Sequence, residues 1–464
     1  MSLYISPSEI PSADLKVLIQ KSYSTFRHPD IAPLAPLVPE DNLHILELFH
    51  GPTFAFKDVA LQFVGNLFEY FLQRKNANLP AEEPRHALTV IGATSGDTGS
   101  AAIYGLRNKK DVSVFILHPL GRVSPIQEAQ MTTVLDSNVH NLAVKGTFDD
   151  CQDIVKTLFS HPTLSKTHNL GAVNSINWAR ILAQIVYYFS SYFALAKSTG
   201  NTHPKIRYVV PTGNFGDILA GYFAQRMGLP IDRLVIATNA NDILNRFVES
   251  GRYEKADSTA TTPAPGVLET LSPAMDILVS SNFERLLWYL SLEQTVANSN
   301  TEPSQEDKIA AGKQVERWMS ELKTKGTTAV PDSVLAAMRR DFASERVSDE
   351  DTVQTIKQIY TSTDKYVLDP HTSVGITAAQ RLIKQNTDKD VHFISLSTAH
   401  PAKFRVAVDK ALAEVPGYDF DGVVRPKEFY GLEDRERRVR IVERADPELV
   451  REAVEELLAQ EGKI

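Results

Sequence analysis

The sequence predicts an α/β protein with mainly parallel sheets covered by helices. Three observations predict it. Short runs rich in Val and Ile recur along the chain, most of them end in a turn of small polar residues, and most of these turns open a stretch of helical periodicity. In sheets of this kind ligands bind beyond the C-terminal ends of the strands, so chemistry is expected in the turns.

The first unit is ALTVIGA at 87–93, the turn TSGDTGS, and the helix AAIYGLRNK. VSVFILH at 112–118 leads to a helix through SPIQEAQMTTV, and NLAV at 141–144 leads through KGTFDD into another. A long helix at 176–198, INWARILAQIVYYFSSYFALAKS, ends this group, and the polar stretch at 199–205 is a junction. The second group has strands RYVVP at 207–211, LVIAT at 234–238 and VHFISLS at 391–397. The stretch at 256–266, rich in Thr, Ala and Pro, reads as a loop or insertion. Residues 300–362 read as polar helix without a site signature. DPHTSVG at 369–375 reads as a further strand-end turn, with His371 in it. The end of the chain is an amphipathic helix with Asp446 as N-cap.

The chain has 464 residues, which suggests two or three domains. Its net charge of -8 gives no basic footprint for nucleic acid, and no apolar run is long enough to span a bilayer. The first residues, MSLYISPSEI, lack the pattern of a secretory signal, and a cytoplasmic location is expected. Cys151 is the single cysteine, so neither an internal disulfide nor a Cys-rich metal site is available. It reads as a small packing residue in a helix. No metal is expected.

Five segments carry candidate chemistry. In HGPTFAFKDVALQF at 50–63, Lys57 lies between Phe54, Phe56 and the run VALQF. Lost hydration would disfavour its charged form and leave a nucleophilic amine, as carbon–nitrogen imine chemistry requires. The alternative is an exposed lysine paired with Asp58 or Glu47. TSGDTGSAA at 94–102 has glycines at 96 and 99 and hydroxyls on Ser95, Thr98 and Ser100, so it could hold an anion at a helix N-terminus, or be a structural turn. Asp97 is its odd member, because a carboxylate repels an anion; it could cap the helix or orient the loop. PTGNFGDILAG at 211–221 repeats the layout and matches neither the dinucleotide fingerprint nor a P-loop. AVNSINWAR at 172–180 places Asn174, Ser175, Asn177 and Arg180 around a helix start, suited to a phosphate or carboxylate or simply to capping. Finally, SLSTAHPAKF at 395–404 puts Thr398 at a strand end, where its hydroxyl could bond a neutral ring nitrogen, with His400 and Lys403 nearby.

Together HGPTFAFKD, TSGDTGSAA, NSINWAR, PTGNFGD, SNFERLLWYL and STAHPAKF resemble segments of threonine synthases, particularly the fungal and enterobacterial branch, in order and over nearly the whole chain. The resemblance implies pyridoxal 5′-phosphate (PLP) fold type II, with two αβα domains of mainly parallel sheets. It implies a remnant of a leading region at 1–40 and a small αβα domain with the lysine segment at 41–198. A large PLP-binding αβα domain at 199–415 and a helical tail at 416–464 complete the expectation. Lys57 is then the catalytic lysine that carries PLP as a Schiff base. Gly213, Asn214, Phe215, Gly216 and Asp217 surround the cofactor phosphate, and Thr398 bonds the pyridine nitrogen. Ser95, Asp97 and Thr98 match the grip on the substrate carboxylate, and Asn174, Ser175, Asn177 and Arg180 the region holding the substrate phosphate. The implied reaction converts O-phospho-L-homoserine and water to L-threonine and phosphate. Two alternatives stay open: a PLP-dependent phospho-lyase giving 2-oxobutyrate, and a truncated chain that binds PLP without catalysis. The second arises because threonine synthases carry a further leading segment ahead of the position matching Leu3, whose lack is expected to weaken closure and activity.

Overall fold

The computed structural model describes residues 1–463 except 81, 162, 163, 165, 166, 257–265 and 297–301. The expected loop at 256–266 therefore lies, apart from its two ends, outside the described residues. The strands are β1 (Leu34–Val38), β2 (Leu43–Glu47), β3 (Leu88–Ala93), β4 (Val112–Pro119), β5 (Val139–Val144), β6 (Leu170–Gly171) and β7 (Lys205–Pro211). They continue with β8 (Ile231–Thr238), β9 (Arg252–Glu254), β10 (Thr327–Ala329), β11 (Phe342–Arg346), β12 (Val391–Ser397) and β13 (Arg440–Val442). A six-stranded sheet runs β1-β2-β12-β7-β8-β11 and a five-stranded sheet runs β13-β5-β4-β3-β6. All their pairings are parallel except β1 with β2.

Both sheets are buried on both faces, which is why their strands read as continuous apolar runs. In the larger sheet Tyr208, Val210, Leu234 and Ile236 pack into one core, while Val209, Val235 and Phe393 pack into a second on the opposite face. In the smaller sheet Val90, Val114 and Ile116 face one layer, and Ile91, Phe115 and Leu117 the other. Cys151 is fully buried in that last layer, where burial pushes its thiol up to about 12, as a packing residue rather than a nucleophile.

Sheet membership cuts across the expected divisions. The strands before the lysine segment, β1 and β2, belong to the larger sheet, where β2 pairs with β12. The C-terminal part is not a detached tail, because β13 pairs with β5 and helix Pro447–Gln460 packs Val450, Val454 and Leu458 on Cys151, Ile154 and Leu158. A third departure is β11, an edge strand beside β8 within the region read as helix. Residues 369–375 are a helix start, not a strand end: Asp369 caps helix Pro370–Gln385 by accepting from the backbone of His371 and Thr372.

Two helices bring the sheets to the site. Helix Lys57–Asn76 and helix Asp97–Leu106 both start there, and they touch backbone to backbone at Gly65 and Gly105. A Cβ on Gly65 would fall 1.8 Å from the Gly105 carbonyl oxygen, and one on Gly105 would fall 2.5 Å from the Leu61 oxygen. Gly65→Ala is therefore expected to lower the unfolding free energy by about 3 kcal/mol in urea titration, since the obstacle is backbone. Gly312→Ala is the control: its nearest neighbour is Trp288 at 3.9 Å, and helix propensity should stabilise it by about 0.5–1 kcal/mol. Equal stability of the Gly65 variant and the unsubstituted protein would contradict the close crossing.

Candidate active site

A cavity of about 620 Å³ lies at the C-terminal ends of the central strands of both sheets, within the range of small-molecule sites. Its lining includes Lys57, Thr98, Asn174, Ser175, Arg180, the turn 213–217 and Thr398. The strand-end turns singled out in the sequence thus converge on one space.

Lys57 opens its helix with its ammonium buried, 3.8 Å from Asp97 and 5.3 Å from the centre of the Phe56 ring. Burial lowers its pKa to about 8, partly offset by Asp97 and reinforced by Lys403 and Arg180. The exposed alternative does not hold, since Asp58 accepts from the Thr53 amide and hydroxyl at 2.7 Å each. Glu47 is likewise taken, by His50 and the Tyr366 hydroxyl. The lysine segment is stitched to the end of β12: Leu48 donates to Ser397 and Phe56 to Thr398, placing Thr398 beside the lysine turn.

The Thr94 hydroxyl shapes the loop after β3 by accepting from the amides of Gly96 and Gly99. Its three candidate side chains separate. Thr98 lines the cavity, whereas Ser95 is exposed and borders a neighbouring cavity with Arg122 and Gln127. Asp97 is buried against Lys403 at 2.5 Å and Gln127 at 2.8 Å. Burial would raise its pKa, but Lys403 and Lys57 together hold the carboxyl well below the usual range. An ionised carboxylate would repel a second one, so its place beside two lysines is that of a counter-charge.

All five residues of 213–217 line the cavity. Phe215 takes a left-handed conformation with φ 64°, which turns its ring into the core against Phe283. Gly216 starts helix Gly216–Arg226, and the Asp217 carboxylate is gripped inside by the hydroxyls of Tyr187 and Tyr188. Burial raises the Asp217 carboxyl to about 6 despite these donors.

Arg180 is buried and donates through Nη1 to the Val173 carbonyl at 3.0 Å, and its buried Nε has no partner among the described residues. Its pKa falls through burial to about 10, which leaves it charged at neutral pH. A buried cation that lines the cavity and has no ion-pair partner among the described residues suits an anion there. Asn177 does not join it: its side chain caps helix Trp178–Thr199, accepting from Ala179 and donating to Ala172.

Sequence reasoning missed the segment that ties these turns together. Ser280 donates to the Gly213 carbonyl, and Ser281 contacts Ser175 and donates to Asn214. Asn282 donates to the carbonyls of both Asn214 and Ser175, and Arg285 to that of Ile176. The run SNFER was visible only as a family likeness, having no anion-turn pattern of its own. His371 was also underrated. It lines the cavity, accepts from the Ala274 amide and is held by Asp369.

A buried amine, a glycine turn at a helix N-terminus, a hydroxyl at a strand end and a buried guanidinium fit a phosphorylated, carbonyl-bearing cofactor. The chain belongs to a matching class: residues 32–287 match the family of pyridoxal-phosphate dependent enzymes, which take this group as cofactor. Residues 372–454 match the threonine synthase C-terminal family. The chain is 59% identical to the threonine synthase of Saccharomyces cerevisiae, over 99% of its own length and 87% of that protein's. Its fold superposes on the yeast threonine synthase crystal structure with a TM-score of 0.91 at 58% identity, covering 99% of this chain and 87% of that one. The PLP-bound threonine synthase of Brucella melitensis gives 0.80 at 39% identity, with 97% and 86% covered. Within the pyridoxal-phosphate enzymes, then, the chain is a member of the threonine synthase family, of the fungal type and with fold type II architecture.

The turn at 213–217 can be tested apart from the rest. A Cβ on Gly213 would lie 3.1 Å from the backbone of both Ala274 and Met275, so a branched side chain must push the turn away. Gly213→Val should weaken PLP binding to the cofactor-free protein roughly ten- to hundred-fold in an absorbance titration, as about 1–3 kcal/mol of overpacking allows. Unchanged PLP affinity would count against the turn's role.

Proposed function

We propose that this chain converts O-phospho-L-homoserine and water to L-threonine and phosphate in the cytoplasm. The observation that carries the reading is the presence, in the lining of one cavity, of the buried Lys57 amine and the buried Arg180 guanidinium, a cation without an ion-pair partner among the described residues.

In this reading Lys57 attaches the cofactor, the backbone of 213–217 holds its phosphate, and the Thr398 hydroxyl bonds its ring nitrogen. When bound, pyridoxal phosphate supplies an electron sink for negative charge developing at the substrate Cα. Lys57, with its amine free, would move the protons of the substrate carbons: it would take one from Cα and one from Cβ as phosphate leaves Cγ, and return one to Cγ, which becomes the methyl group. Water would then add its hydroxyl at Cβ and leave its other proton on the released phosphate, and Lys57 would return a proton to Cα. A lysine with its pKa lowered to about 8 suits this exchange, because a useful fraction is neutral near neutral pH. Arg180, with Asn174 and Ser175, binds the substrate phosphate and stabilises it as it leaves. Thr98, on the loop after β3, grips the substrate carboxylate. Asp97 is proposed instead as the counter-charge to the lysines.

A charge-assisted arginine contact is worth about 1.5–3 kcal/mol. Arg180→Ala should therefore lose roughly ten- to hundred-fold in kcat/KM for O-phosphohomoserine with PLP affinity unchanged. The unsubstituted protein, loaded with PLP and given this substrate, should release threonine and phosphate in equal amounts. Release of 2-oxobutyrate and ammonia in place of threonine would replace the reading by the phospho-lyase, and absence of both products by a non-catalytic chain.

A further inference from the structure

Lys403 lies outside the lining of the main cavity, yet its side chain is among the most buried in the protein. It sits in the single 3-10 turn Pro401–Lys403 that follows β12 and Thr398. Its ammonium is 2.5 Å from Oδ1 of Asp97 and donates at 2.9 Å to the carbonyl of Thr53. The other carboxylate oxygen, Oδ2 of Asp97, is the one 3.8 Å from the Lys57 ammonium.

One cation therefore fastens three segments at once. Asp97 comes from the loop after β3, Thr53 from the segment that turns into Lys57, and Lys403 itself from the end of β12. Two glutamine amides complete the arrangement, Gln127 donating to Asp97 and Gln130 to the Thr53 carbonyl. A lysine serving only to fill space here would be poorly chosen, because a buried ammonium costs several kcal/mol that an apolar side chain of similar length avoids. What the ammonium adds is an ionised carboxylate held in a fixed direction.

We propose that Lys403 is a positioning residue for Lys57: by holding Asp97 and the Thr53 carbonyl on one ammonium, it sets the orientation and charge of the carboxylate that faces the Lys57 amine. The proposal rests on the reading of Lys57 as the attachment residue, but its test does not require cofactor or turnover. The charged groups acting on Lys57 are Asp97, Lys403, Arg180 and Asp58, and His371 acts on Asp97. Two consequences of removing the Lys403 charge have the same sign. The repulsion on Lys57 disappears, and Asp97 is left to pair with Lys57 alone. Both favour the protonated form of Lys57.

The experiment is trace acetylation of the cofactor-free protein across pH, with Lys57 labelling read by peptide mass spectrometry. Lys403→Met should raise the pH midpoint for Lys57 by about one unit or more, and Lys403→Arg should return it toward the unsubstituted value. Asp97→Asn should move it the other way, down by about one unit or more. Lys403→Met leaves a buried carboxylate short of a partner, so it could fail to fold. The double variant Asp97→Asn with Lys403→Met has no such charge, and its midpoint should lie above that of Asp97→Asn alone. An unmoved midpoint in folded Lys403→Met or in Asp97→Asn would overturn the proposal, because a purely structural Lys403 changes stability and not the titration of Lys57. Attachment of the cofactor to some other lysine would remove the reading of Lys57 and leave this measurement standing.

Discussion

Two helices lie so close that only glycine fits between them, and the site grows outward from that contact. Gly65 and Gly105 each lie about eight residues, roughly 12 Å of helix axis, past Lys57 and Asp97 respectively. Because the crossing is fixed by backbone against backbone, the two helix starts have little freedom to separate. The larger sheet, through β12, then supplies Thr398 and Lys403 to the same point, and the smaller supplies the loop after β3. Parallel strands make this convergence natural, since their C-terminal ends all open on the same side of each sheet.

Burial of charge is the second constraint. Lys57, Asp97, Arg180, Asp58, Asp217 and Lys403 are all withdrawn from water around one space. Their responses differ by partner. Burial pushes Asp58 and Asp217 up to about 6 in spite of their hydroxyl or amide donors, whereas Asp97, between two lysines, is held low. Isolated buried charges would be costly, so each needs a fixed counterpart. Arg180 and Asp217 have no charged counterpart among the described residues, and each keeps one buried atom, Nε and Oδ2, without a hydrogen-bond partner there.

The candidate site was more legible than the fold's edges. Strand-end turns announced themselves by glycines and hydroxyls after Val- and Ile-rich runs, and the run VHFISLS coincides with β12. Weaker signals had physical causes. The strand β13 has three residues in an arginine-rich stretch, so no apolar alternation existed to find. In β11 only Phe342 is fully buried, as befits a sheet edge, and β1 contains Pro36, which an edge strand tolerates. Side-chain roles were harder still. Asn177 and Ser95 have the right chemistry at the right sequence position, but one is spent on a helix cap and the other turns outward from its loop. Conversely, Lys403 and the run from Ser280 to Arg285 act through contacts with residues far away in sequence, which spacing cannot reveal.

Two buried lysines lie within 4 Å of the same carboxylate and differ in place: Lys57 lines the main cavity, while Lys403, outside that lining, holds the other oxygen of Asp97. Borohydride reduction of the PLP-loaded protein, followed by peptide mapping, separates the two most directly. Loss of the visible absorption band and a stable pyridoxyl label on Lys57 are expected. A label on Lys403, or on any other lysine, would contradict attachment at Lys57.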